Sequence, residues 1–305
     1  MKPQTRIRCR IVLLLAIASC AWGQANVISL SAPLTETVYL LGEQGRLAAV
    51  SDTSVFPEKA VADQRAGKVR VLSFSKPDLA AIDTLHPALI LTSTAFQRAL
   101  AAQLRQQGYA VLHFEPASME EVFRQTEKIG EALGKSREAL RITAGMRRDL
   151  AGIASKSAKL PRVRVYMEIN HVGPWTSGAD SPENEMIRIA GGENVFGDRH
   201  EGVFATTNAE VARRDPEVIL SPIWLDAKMG GIDGITTLSE IMSRPGYSNT
   251  KAVANSRVLY YDSALLKHQG PREILAVRKL AYLLHPEAFD NPVGTIPWEL
   301  GRVRQ

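Results

Sequence analysis

The 305-residue sequence predicts an α/β protein of two lobes with parallel sheets, joined by a single long α-helix. Three observations carry that prediction. A helix–proline–strand pattern occurs twice, short all-apolar strands alternate with helical stretches, and one apolar stripe of helical period stands between the two copies.

The repeat is read from Ala80-Ala81-Ile82-Asp83-Thr84-Leu85-His86-Pro87-Ala88-Leu89-Ile90-Leu91-Thr92 and from Ala209-Glu210-Val211-Ala212-Arg213-Arg214-Asp215-Pro216-Glu217-Val218-Ile219-Leu220-Ser221. The two prolines stand 129 positions apart, and each segment gives the end of a helix, a turn and an apolar strand. Upstream, Glu36 to Gly42 echoes Glu185 to Gly191, each a helix closed by a glycine that reaches positive φ without steric cost. Apolar strands precede both helices, Val27 to Leu30 and Val163 to Ile169. Strands that are apolar throughout belong to parallel sheets covered on both faces.

Between the copies, Met119 to Leu133 predicts one helix and Ser136 to Ala158 a longer one, with Gly134 ending the first and Ser136 capping the second. Ala139, Ile142, Met146, Leu150 and Ile153 recur every three or four residues, one stripe along one face. At 1.5 Å per residue the longer helix spans about 33 Å, enough to lean on both lobes and to restrict them to small rocking. The expected organisation is a leader over 1–23, a first α/β lobe over 24–117, connecting helices over 118–160, a second α/β lobe over 161–290 and a tail over 291–305.

The leader reading rests on Lys2, Arg6, Arg8 and Arg10 ahead of the apolar run Ile11 to Ala18 and the small residues that follow. That run is too short to span a bilayer. Two processing routes stay open: Ala21-x-Gly23 suits an ordinary signal peptidase, and Ser19-Cys20 suits a lipoprotein anchored at Cys20. Cys9 and Cys20, both in the leader, are the only cysteines, which excludes a disulfide framework. Of 37 basic residues four lie in the leader, leaving 33 against 32 acids, so the basic isoelectric point gives no reason to expect nucleic acid.

Trp175-Thr176-Ser177-Gly178-Ala179-Asp180, Glu185 to Phe196 with its Ala-Gly-Gly-Glu-Asn core, Gly270-Pro271-Arg272, and the opening Ser31-Ala32-Pro33-Leu34-Thr35-Glu36 together resemble helical-backbone periplasmic binding proteins of ABC importers. The likeness runs from about Val27 to Phe289. It implies two Rossmann-like lobes and a bulky ligand, an iron-siderophore complex, haem or vitamin B12, held between them in the periplasm by a monomer. The matching ligand positions are Phe56, Phe74, Trp175, Phe204, Trp224 and His268. The second-lobe residues resemble vitamin B12 binders, but Ser93 replaces a tryptophan of theirs, and Ala264 and His268 replace an acid and an arginine.

Lys228, with Lys267 and His268, is a candidate to hold ligand carboxylates. His171 and His268 stand where the family's ligand lies, so axial ligation of haem iron is an alternative; His86 and His285, each before a proline, read as structural. No histidine or cysteine spacing matches a metal cluster, and no cofactor is expected. The resemblance implies one glutamate per lobe for docking to the permease, at Ala80 and Ala209 here; Asp83 and Glu210 are the nearest acids. A ligand-binding or adaptor protein uncoupled from a permease is therefore the second reading. An enzyme is not expected: Gly-x-Ser-x-Gly, phosphate-cradling and His-Glu-x-x-His motifs are absent, and Glu168 and Asp180 show no catalytic spacing.

Overall fold

The computed structural model describes residues 26–169, 174–223, 238–266 and 269–292. Five strands, β1 (Val27–Ser29), β2 (Leu47–Ser51), β3 (Arg70–Leu72), β4 (Leu89–Ser93) and β5 (Val111–Phe114), form the first sheet in the order β3-β2-β1-β4-β5. All its pairings are parallel. The second sheet takes β6 (Val163–Met167), β8 (Gly192–Asn194), β10 (Val218–Ile223) and β11 (Val258–Asp262) in the parallel order β11-β10-β6-β8. A separate antiparallel ribbon of β7 (Trp175–Ser177) and β9 (Val203–Ala205) joins the second lobe, an element that the sequence pattern did not predict.

The helices α1 (Ala32–Leu40), α2 (Glu58–Arg65), α3 (Leu79–Thr84) and α4 (Arg98–Gln106) belong to the first lobe. The connecting pair is α5 (Met119–Ala132) and α6 (Ser136–Ser157). The second lobe carries α7 (Pro182–Ile189), α8 (Asn208–Arg214), α9 (Leu238–Met242), α10 (Lys251–Ala254), α11 (Ser263–Leu266) and α12 (Glu273–Leu284). The repeat is realised as α3–β4 and α8–β10, and the upstream echo as α1 and α7, closed by Gly42 (φ 76°) and Gly191 (φ 94°).

Strand alternation divides the core into layers. Val27, Val50 and Leu91 of the first sheet face a central cluster, while Ile28, Ala49 and Ile90 face an outer one. In the second sheet Val165, Met167, Val218 and Leu220 face the same central cluster, and Tyr166 and Ile219 face the opposite side. The predicted stripe Ala139, Ile142, Met146, Leu150 and Ile153 of α6 is buried in that central cluster, so one apolar mass runs from the first sheet through α5 and α6 to the second. Gly130 sets the spacing of the two helices, because a Cβ there would lie 2.4 Å from that of Ala139.

One local expectation is corrected. Ser136 is the first residue of α6 rather than its cap; Lys135 holds the cap position without a side-chain bond, and its N–H donates to the Gly130 carbonyl (2.6 Å), closing α5 through Gly134 at φ 72°.

Candidate functional site

The two sheets bring the carboxyl ends of β4, β5 and β6 toward one crevice, the position where open parallel sheets bind ligands. The cavity there measures about 400 Å3. Thr94, Ala95 and Glu115 form its first-lobe bank, Ile169, Pro182 and Val203 its second-lobe bank, and Gln269 and Glu273 its floor.

The first-lobe bank rests on a chain of hydroxyls. Ser31 Oγ and Ser93 Oγ lie 2.5 Å apart, Thr35 Oγ1 donates to Ser29 Oγ (2.8 Å), Ser54 Oγ donates to Thr35 Oγ1 (2.9 Å), and Ser51 bonds Ser54 (2.9 Å). Gln97, 1% exposed, accepts from Ser93 N–H and donates to the carbonyls of Leu30 and Phe74. Ser93 is thus fully buried and committed to the lobe. Past β4 the chain turns out, leaving Phe96 64% exposed and stacked on Phe74 at 5.7 Å.

The second-lobe bank is built on charge. Buried Glu168, just beyond β6, receives both Nη groups of Arg244 (2.5 and 2.9 Å), and its backbone carbonyl accepts from the Tyr261 hydroxyl (2.8 Å). Glu168 is therefore a structural anchor. At the floor Glu273 is buried; Gln269 N–H donates to Oε1 (2.8 Å), while Oε2 has no partner among the described residues. Burial, reinforced by the charges of Glu183, Glu185 and Glu36, pushes its carboxyl up to about 8, so it is protonated at neutral pH. Across the cavity Glu115 is held down to about 2 by Arg98 and His113.

Two contacts tie the lobes together beside the crevice. Arg272, from the Gly270-Pro271-Arg272 segment, donates through Nε to buried Glu36 of α1 (2.6 Å) and lies over the Phe56 ring at 4.2 Å. Glu185 of α7 accepts the Met119 N–H (2.9 Å) at the first residue of α5, where a carboxylate also meets the helix dipole. The two glutamates occupy matching places in the repeated α1 and α7, and each reaches out of its own lobe.

The sequence-derived candidates separate in three ways. Phe74 is half-buried at the first-lobe rim beside Phe96, and Trp175 opens β7 with 40% of its surface exposed. Phe56 stands at the junction, engaged by Arg272. Phe204 is buried, packed edge-on against Phe196 at 5.8 Å with Arg199 over its ring. Alternation along β9 turns its neighbour Val203, half exposed, toward the crevice instead. Trp224, Lys228, His268, Lys267 and His171 lie outside the described residues. Phe96, Glu273 and the role of Arg272 were missed; Phe96 carried a usable signal, since it follows the end of an apolar strand, where such sites form.

Ala80 and Ala209 are both exposed second residues of repeat-related helices, α3 and α8, capped by Asp78 and Thr207. The adjacent acids are occupied: Asp83 accepts the Tyr109 hydroxyl (2.8 Å), and Glu210 is clasped by Arg213 and Arg214 (2.7 Å each), which hold its carboxyl down to about 2.

The family model described as periplasmic binding protein matches residues 27–265, which covers both sheets and the connecting helices. The chain belongs to the periplasmic binding protein family. Among relatives of this periplasmic binding protein, an uncharacterized ABC transporter substrate-binding lipoprotein of Bacillus subtilis is 27% identical over 87% of this chain and 81% of its own length. A vitamin B12-binding protein of Vibrio vulnificus is 24% identical over 88% of this chain and 93% of its own. In structure, a periplasmic heme-binding protein from Roseiflexus sp. RS-1 superposes with a TM-score of 0.71 at 20% identity, over 87% of this chain and 100% of that one. The family is one of substrate-binding transport proteins, and the two-lobed fold of parallel sheets and helices is shared with it.

Proposed function

We propose that this chain is exported by its 1–23 leader and captures a bulky iron complex, haem or corrinoid between its lobes, handing it to an ABC-type importer rather than transforming it. The observation that carries this reading is exposed apolar surface next to the crevice on both lobes. Phe96, which follows the lining residue Ala95 and stacks on half-buried Phe74, stands on one side, and the lining residue Val203, with Trp175 of the same ribbon, on the other, while the floor holds a neutral carboxyl. Exposed aromatics at a cleft mouth suit a large, flat, partly apolar ligand better than an ion or a sugar.

The test is tryptophan emission titrated with a ferric hydroxamate, haem and cyanocobalamin. At least one should quench the wild type at micromolar concentration, Trp175→Phe should lose a large part of the signal, and Phe96→Ser should weaken binding about tenfold. A folded protein silent to the whole panel would end the proposal.

A second reading, ligand binding without coupling to a permease of the usual docking geometry, is favoured by Ala80 and Ala209 and by the engagement of Asp83 and Glu210 inside their own lobe. Removal of two charge-assisted contacts weakens a transient complex by several kcal/mol. Stimulation of a cognate transporter's ATP hydrolysis by the loaded wild type would reject this second reading; stimulation only by the Ala80→Glu/Ala209→Glu variant would support it.

A further inference from the structure

A basin of about 790 Å3, roomier than the crevice, lies on the second lobe at the amino ends of β6 and β8. Five arginines line it, Arg162, Arg164, Arg188, Arg213 and Arg214, against two carboxylates, Glu193 and Asp198. Three of the five are matched. Arg164 pairs with Glu193 (3.1 Å), Arg213 with Glu210 (2.7 Å), and Arg214 with Asp198 (2.6 Å) and Glu210.

Arg162 and Arg188 are not matched. Arg162 donates through Nη1 only to the carbonyls of Arg188 (2.6 Å) and Gly192 (3.4 Å), and Arg188 makes no ion pair among the described residues. Both side chains line the same basin, where their positive charges are offset by no carboxylate of their own. Excess positive charge gathered in a concave surface attracts an anion.

We propose that this basin binds a phosphate-bearing dianion, a site separate from the interlobe crevice and independent of the ligand captured there. The charge count selects the class: two unmatched guanidinium groups balance the −1.5 to −2 that a phosphomonoester carries near neutral pH. Guanidinium forks meet phosphate oxygens in paired hydrogen bonds, which lysines do not provide. The same chemistry is offered by a free phosphate compound and by the phosphomonoester headgroup of phosphatidic acid.

The experiment titrates the full chain with inorganic pyrophosphate in a calorimeter and, in a second arm, sediments it with phosphatidylcholine vesicles that contain phosphatidic acid or none. Arg188→Gln should weaken pyrophosphate binding at least tenfold and Arg162→Gln/Arg188→Gln further. Arg65→Gln, which removes an exposed arginine on another lobe, should change it less than twofold. The Arg188 side chain is exposed and forms no ion pair among the described residues, so circular dichroism of its variant should match the wild type. Pyrophosphate binding without vesicle binding assigns a free phosphate compound. Binding to vesicles with phosphatidic acid but not to phosphatidylcholine alone, lost in Arg188→Gln, assigns a headgroup. No binding in either arm, or an equal loss in Arg65→Gln, overturns the site.

Discussion

The two lobes share a plan but not the chemistry at the ends of their strands. In the first, neutral hydroxyls of Ser29, Ser31, Thr35, Ser51, Ser54 and Ser93 bond one another under the crevice bank. In the second, the equivalent depth holds the ion pair of Glu168 and Arg244 and the protonated Glu273. Duplication preserves topology because sheet and helix packing depend on apolar period alone, whereas polar residues that fill the strand ends need only satisfy each other. The strand ends of the first lobe are therefore filled by neutral groups, and those of the second by charge.

The sharpest way to break this contrast is Arg244→Met. It strips a fully buried carboxylate of its guanidinium and should cost about 4 kcal/mol in chemical denaturation, with part recovered in Glu168→Gln/Arg244→Met. A loss below about 1 kcal/mol would mean that the second lobe is no more charge-dependent than the first. Next in size, Arg272→Ala removes the cation that joins Glu36 to the other lobe and should cost about 3 kcal/mol while also lowering ligand affinity, because it frees Phe56.

Glu273→Gln tests where the titration resides. The folded protein keeps this proton up to about pH 8 while the unfolded chain loses it above about 4.3, so stability falls as pH rises between those values. The glutamine variant should flatten that slope and gain on the order of 2 kcal/mol at pH 8; an unchanged slope would move the titration elsewhere. Smallest, Thr35→Val removes one hydroxyl from the first-lobe chain and should cost about 1 kcal/mol, independent of pH.

Much of this architecture was legible in the sequence, and the reason is periodicity. The doubled helix–proline–strand segment, the two glycine-closed helices and the five-residue stripe of α6 all depend on the spacing of apolar residues, which burial enforces. The ribbon of β7 and β9 was not legible, since three-residue strands leave no period to detect. The site was legible only in part. Phe74 is half-buried against Phe96 and Trp175 is exposed at the start of β7, whereas strand alternation along β9 turns the Phe204 ring inward, a distinction that the family positions do not carry. Contacts that join distant segments, such as Arg272 with Glu36 or Met119 with Glu185, leave no local pattern at all.

The shared apolar mass along α6 has a mechanical corollary. Since Leu91 and Val218, from opposite sheets, belong to one contiguous cluster, heat cannot dissolve either sheet without exposing surface that belongs to the other. Scanning calorimetry should give a single endotherm, and a chain severed near Lys135 should yield two fragments that regain shape only when mixed.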